Sequence, residues 1–338
     1  MYGDSVAAMK MLQDRSVHTM CSSIPFFLQR KYEGQSVFGM EKTRGAWADN
    51  QLLVFDEVHR VLRDDGTAFV VVGEAYAPSK RGDVNAQEPS LQAPFLAEKL
   101  RASGWCVKSL IVIEYTNRTP TSMKNRPAQT HEYGILLSKQ KTGYYWDYIT
   151  SRERGVKHDR LLRSVWTGTV EPAWRSKTIA FKHTSVYPRW VVRTFLNGAV
   201  SQDGVCSACG APRLPKVNKA KGGSTGKSWL EHGDDLVHGN GKTSSSAGYV
   251  PATIVGWKAG CSCKAKTTRP LVLDPYTGTS TTGVVALELG CDYVGIDSDR
   301  RCIDLSRERL SEAASASSPF DAEAASRRQT EMFSGEAP

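Results

Sequence analysis

The stretch LVLDPYTGTSTTGVVALELGCDYVGID, residues 271–297, constrains the fold more than any other. LVLD is a short apolar run of the kind a buried parallel strand uses. PYTGTST is a tight turn containing a glycine. TTGVVALELG places Val285, Leu287 and Leu289 among the apolar residues of a helix. DYVGID is a second strand that ends on Asp297. Strand, turn, helix and strand in that order make half of a Rossmann-like nucleotide site. The turn lets backbone approach a ligand, and the carboxylate at the end of the second strand can accept hydrogen bonds from ribose hydroxyls. Asp297 lies 19 residues after Gly278, close to the spacing of about 20 usual for that pair. The turn has no G-x-G-x-x-G, which disfavours a dinucleotide. An ordinary βαβ unit is the competing reading of the same residues.

The rest of the chain fits that frame. SVAAMKMLQDRSV reads as a short helix with Val6, Met9 and Leu12 near helical spacing. NQLLVFDEVHRVLRDDG reads as an amphipathic helix with Leu52, Leu53, Phe55, Val58, Val61 and Leu62 on one face, stopped by RDDG. TAFVVVG follows as a buried strand. APFLAEKLRASGW repeats the pattern of helix then glycine, and CVKSLIVIEY and THEYGILLSK are strands. Helices alternating with apolar strands predict an α/β, Rossmann-like, doubly wound sheet. Residues 201–268 have another texture, rich in Gly, Ser and Lys, and read as a loop-rich insertion. Residues 313–338 read as a disordered tail.

The insertion holds two close cysteine pairs, Cys206 with Cys209 and Cys261 with Cys263. Four thiolates so spaced, in a chain without the start of a signal peptide or a long apolar run, read as a structural zinc site. Four unrelated thiols are the alternative. The chain reads as cytosolic, where its eight Cys stay reduced or bind metal. Its net charge of +9 suits a polyanionic partner such as nucleic acid.

Residues 271–297 resemble the S-adenosylmethionine motif of the amino-methylating DNA methyltransferases, commonly D-P-F-x-G-S-G-T-T. SSIPFF, from Ser22 to Phe27, resembles their catalytic motif, commonly S-P-P-Y or D-P-P-Y. Catalytic motif first and cofactor motif last is the permuted, β-type order. GDSVAAMKML, DEVHRVLRDDGTAFVVVGEAYA, NRPAQTHEYGILLSK, RSVW and HTSVYPRWVV extend the similarity over residues 1–205 and 268–312.

The resemblance implies a bacterial or phage DNA methyltransferase, monomeric or homodimeric, that moves a methyl group from S-adenosylmethionine to an exocyclic amine of a flipped base. It implies a catalytic part in residues 1–200 and a cofactor-binding part in residues 269–312. By position, Ser23 accepts from the amino group, Ile24 offers its carbonyl, Pro25 fixes the loop and Phe26 stacks on the base. Ile24 stands where the family has a proline, and its N–H needs a partner. Asp4, Tyr187, Asp274, Tyr276, Gly278, Thr281 and Asp297 fall at cofactor positions. Ser280 replaces a glycine and puts a side chain beside the ligand's approach. Arg30 and Tyr32 follow the catalytic motif and are placed to hold DNA. The insertion, with Lys219 and Lys221, stands as the target-recognition element.

A serine in the first catalytic slot favours cytosine N4 over adenine N6. Two other readings stay open. One is a relative that binds DNA without turnover. The other is cytosine C5 methylation with Cys21 as nucleophile. In the tail, QTEMF resembles the short peptides that dock on a replication sliding clamp.

Overall fold

The computed structural model describes residues 1–28, 38–118, 124–154, 159–179, 187–218 and 252–316. Its strands begin with β1 Val17–Ser23, β2 Leu62–Val72, β3 Cys106–Tyr115, β4 His131–Ser138 and β5 Val165–Gly168. Four short ones follow in the insertion: β6 Val205–Cys206, β7 Leu214–Val217, β8 Ile254–Lys258 and β9 Thr267–Thr268. β10 Leu271–Asp274 and β11 Asp292–Gly295 come last. Seven strands form one sheet in the order β11-β10-β1-β2-β4-β3-β5. β11, β10, β1 and β2 run parallel, as do β3 and β5. β4 is antiparallel to both of its neighbours, a reversal that the parallel-sheet reading did not anticipate.

Six helices flank the sheet among the described residues: α1 Ser5–Met9, α2 Arg44–Val61, α3 Gln92–Ala102, α4 Arg189–Ala199, α5 Thr281–Glu288 and α6 Arg300–Ala316. Successive residues of each central strand face opposite sides, because side chains alternate along a strand. Met20, Ala68, Val70 and Leu273 pack with Phe55 and Val58 of α2 and Leu96 of α3. Cys21, Phe69, Val71 and Val272 pack with Phe195 of α4 and Val285 of α5. Phe69 stacks on Phe195 at 4.9 Å between ring centroids. Apolar residues on both faces explain why the strands read as continuous apolar runs.

Three expectations need correction. RDDG does not follow the helix as a stop: α2 ends at Val61 and Leu62 already starts β2. The bidentate pair from Arg63 to Asp65 and the Lys139 Nζ bond to the Leu62 carbonyl hold that stretch extended. Gly66 is needed there, since a Cβ would sit 2.8 Å from the His18 carbonyl oxygen. Leu53 is exposed rather than part of the helix's buried face, which begins earlier with Trp47, Ala48 and Gln51. α6 carries helix to Ala316, past the expected start of the tail.

Within the insertion, β6 pairs with β9 and β7 with β8, as two separate antiparallel ladders. Arg30, Tyr32, Lys219, Lys221 and the QTEMF stretch lie outside the described residues. Among the described residues no helix is long and apolar enough to cross a membrane.

Candidate active site and metal centre

β1 and β10 are parallel neighbours and end on the same side of the sheet. β1 therefore delivers Ser23 to Phe26 beside the loop that β10 delivers, Pro275 to Ser280. This is the C-terminal edge, where open α/β sheets bind ligands.

A buried carboxylate joins the two loops. Asp274 has no exposed surface and accepts from Ser22 Oγ at 2.6 Å, Thr282 Oγ1 at 2.6 Å and the Tyr276 N–H at 3.1 Å. Burial pushes its carboxyl up to about 6. Asp274 was expected to touch the cofactor; the structure makes it the tie between the catalytic strand and the cofactor turn. Tyr187 joins the same network through a hydrogen bond between its hydroxyl and Thr282 Oγ1, with Cys21 Sγ 3.9 Å from the hydroxyl. Tyr187 thus lies beneath the site.

In the catalytic loop, Ser23 is half-buried and stands opposite Val71 of β2. The Ile24 N–H is met by the Val71 carbonyl at 3.4 Å, so the replacement of proline leaves no orphan donor. Pro25 offers its carbonyl to Trp47 Nε1 at 2.9 Å, which pins the loop to α2. Phe26 is only 7% exposed and packs on Gly73, so its ring is more covered than a stacking role predicted.

In the cofactor loop, Gly278 has φ 51°, its N–H donates to Asp297 Oδ2 at 2.9 Å and its carbonyl accepts from Ser306 Oγ at 2.8 Å. Asp297 also accepts the Asp299 N–H at 2.8 Å, and burial pushes its carboxyl up to about 6. It is only partly buried, and its oxygens retain lone pairs for a ligand. Tyr276 donates its hydroxyl to Gln51 Oε1 at 2.9 Å and meets Phe38 edge to face at 5.9 Å. Asp4 caps α1 by accepting the Ala7 N–H. Its neighbours touch the site directly: the Gly3 N–H donates to the Asp297 carbonyl and the Ser5 hydroxyl to the Pro275 carbonyl.

Two positions differ from expectation. Thr281 turns its hydroxyl to Arg309, at 3.0 Å, instead of outward to a ligand. Ser280 adopts φ 57° and its side chain turns inward, 1% exposed, to bond Thr277 Oγ1 at 2.8 Å.

Sequence reasoning missed Ser22, Trp47, Thr282 and Arg309. Ser22 and Thr282 lie inside the quoted motifs, so their position was a usable signal. Arg309 Nη1 reaches the Thr279 carbonyl and hydroxyl and the Thr281 hydroxyl from α6, and nothing in its local sequence marks it.

The second cluster is metal-like. The Sγ atoms of Cys206, Cys209, Cys261 and Cys263 all lie within 4.8 Å of one another. The Cys206 thiol is held down to about 7 by the backbone N–H groups of Cys209 and Ala208. The cluster docks at the other edge of the sheet from Ser23: Arg63 Nη1 donates to the Cys209 carbonyl at 2.6 Å, and His18 Nε2 lies 3.1 Å from the Gly210 carbonyl.

Comparison with known proteins matches these features to one family. The N6/N4 methyltransferase family, described as DNA methylase, matches residues 17–206 and 264–308, more than two thirds of the chain. The chain is 24% identical to Type II methyltransferase M.Cfr9I of Citrobacter freundii over 330 residues, 91% of this chain and 86% of that protein. It is 28% identical to Type II methyltransferase M.XycI of Xanthomonas campestris pv. cyanopsidis over 219 residues, 58% of this chain and 71% of that one. Among solved structures, the cytosine-N4-specific PvuII DNA methyltransferase superposes with a TM-score of 0.59 at 15% identity, covering 99% of this chain and 92% of that one. A putative DNA modification methylase from Thermus thermophilus, complexed with S-adenosyl-L-methionine, gives 0.53 at 16% identity, covering 95% and 98%. At those identities the two structures speak for the fold.

Proposed function

The chain belongs to the N6/N4 DNA methylase family and is a DNA methyltransferase; we propose that it methylates the N4 amino group of cytosine, with S-adenosylmethionine as donor. The observation that carries this is the placement of Ser23 at the end of β1, against the cofactor turn through the bond from Ser22 to Asp274.

The residues fit the donor. A glycine at positive φ, a half-buried carboxylate at Asp297 and the Tyr276 ring line the loop after β10. Tyr276, Gly278 and Asp297 would hold S-adenosylmethionine, which when bound would supply a methyl group activated by its sulfonium. An exocyclic amine is a weak nucleophile because its lone pair is shared with the ring. Ser23 Oγ and the Ile24 carbonyl accept the two amino hydrogens and draw that lone pair out of the ring plane. Trp47 and Val71 hold the loop so that this geometry is set before the base arrives. A hydroxyl acceptor suits an amine that needs orientation without an added negative charge.

The C5 alternative needs a thiolate. Cys21 has no exposed surface, and burial pushes its thiol well above the ordinary range. The two motif departures do not argue for an idle enzyme, because Ile24 and Ser280 are both satisfied internally. For the four-cysteine cluster we propose zinc, since tetrahedral thiolates at about 2.3 Å from one ion stand roughly 4 Å apart. The setting suggested by the Type II relatives is restriction and modification.

Methyl transfer from labelled S-adenosylmethionine to DNA tests the reading. Ser23→Ala should abolish transfer and Cys21→Ala should retain it. Loss in Cys21→Ala with a folded protein, and retention in Ser23→Ala, would reverse the assignment.

A further inference from the structure

The four-cysteine cluster sits under the catalytic strands, at the edge of the sheet away from the reacting base. Three parallel strands begin at one point. His18 is the second residue of β1, Arg63 the second of β2 and Leu271 the first of β10. The turn carrying Cys209 and Gly210 touches the first two directly, through Arg63 Nη1 to the Cys209 carbonyl and His18 Nε2 to the Gly210 carbonyl. His18 Nδ1 in turn accepts the Leu271 N–H at 2.9 Å, which brings in the third. Asp65 fixes the Arg63 guanidinium through two bonds at 2.8 and 2.9 Å. Gly210 has φ 69°, which strains any other residue, and a Cβ there would stand 2.4 Å from Arg63 Nη1, so a side chain would have to displace the guanidinium that Asp65 holds.

The same strands carry the active site at their other ends. Ser23 lies five residues beyond His18, roughly 17 Å along an extended strand. Asp274 ends β10, which starts at Leu271. β9 pairs with β6 at Cys206 and leads straight into β10.

Resting on the zinc reading above, we propose that the metal-bound turn is a clamp that fixes the base of β1, β2 and β10 and thereby sets the spacing of the catalytic and cofactor loops. The ion orders a turn that has little apolar core of its own. The turn's two carbonyls then hold His18 and Arg63, and the rigid strands transmit that register to Ser23 and Asp274. On this account the described part of the insertion serves the methyltransferase fold, and base reading belongs to loops on the catalytic edge.

The test uses the full chain and Zn2+ itself. Zinc content by elemental mass spectrometry, thermal unfolding, and affinities for S-adenosylmethionine and DNA are measured before and after chelation, and on Gly210→Val and Arg63→Met. The clamp predicts one zinc per wild-type chain. It predicts that chelation lowers Tm by on the order of 10 °C and weakens cofactor binding. Both variants keep all four thiolates, so they should retain zinc yet lower Tm and cofactor affinity in the same direction. Zinc that can be removed with Tm and cofactor affinity unchanged would overturn the clamp while leaving the metal reading intact. Loss of DNA affinity alone would also overturn it, in favour of a nucleic-acid contact. A chain that binds no zinc would overturn the metal reading itself.

Discussion

Ser22 Oγ donates to Asp274 Oδ1 at 2.6 Å, a bond that crosses from the catalytic strand to the cofactor strand with neither group exposed. It makes the residue before Ser23 a fixed point of the turn after β10. The proposed catalytic and cofactor loops are therefore tied to each other from beneath.

This tie gives a pH signature. Burial raises the Asp274 carboxyl from 3.8 to about 6. Its contribution to stability is therefore fully present below pH 3.8 and is lost as pH rises through about 6. The difference is of the order of 3 kcal/mol. Asp274→Asn removes the titration. The wild type should lose Tm relative to Asp274→Asn as pH rises from about 4 to about 7, measured by calorimetry. Parallel Tm curves would show that Asp274 does not titrate in this window.

Gly73 tests the position of Phe26. A Cβ at Gly73 would lie 2.5 Å from Phe26 Cε2. Gly73→Ala should displace the ring and lower kcat by about tenfold or more, because small misplacements near reacting groups are costly. Cofactor affinity, read by calorimetry, should barely change, since the cofactor loop lies on β10. Unchanged kcat would mean that Phe26 can move without consequence.

Ser280 is strained and bonded at once. A left-handed backbone costs a residue other than glycine about 1 kcal/mol, and its hydroxyl bond to Thr277 returns about as much. Ser280→Gly should leave stability within about 1 kcal/mol of wild type, while Ser280→Ala keeps the strain, loses the bond and should cost about 1–2 kcal/mol. Denaturant titration of the pair measures the difference.

Arg309 supports the cofactor turn from α6 through three bonds to Thr279 and Thr281. Burial lowers its pKa, the cost of keeping a cation there. Arg309→Met should destabilise by about 2 kcal/mol, as lost charged hydrogen bonds do. It should raise KM for S-adenosylmethionine more than it lowers kcat. Steady-state kinetics separates the two constants.

Much of this was legible in the residues. The bounds of β10 match the run LVLD, because a buried strand needs an unbroken apolar run, and CVKSLIVIEY matches β3, whose second half alternates buried with more open residues. Ser23 and Asp297 stand out in the sequence through motif position. The hydrogen-bond partners of Asp274, Thr281 and Tyr187 do not, because motif position does not say which way a side chain turns. Arg309 was invisible, since only the packing of α6 on the cofactor turn gives it partners. The seat of the cysteine cluster was partly readable. An insertion between α4 and the start of β10 must open at the edge where parallel strands begin, whereas ligands bind where they end.

Nucleoside mass spectrometry on DNA from cells expressing the chain, with Ser23→Ala as control, tests the central claim most directly. The account predicts N4-methylcytosine that vanishes in the Ser23→Ala cells. N6-methyladenine would contradict the choice of base, and 5-methylcytosine or no mark from a folded, cofactor-binding protein would contradict the mechanism.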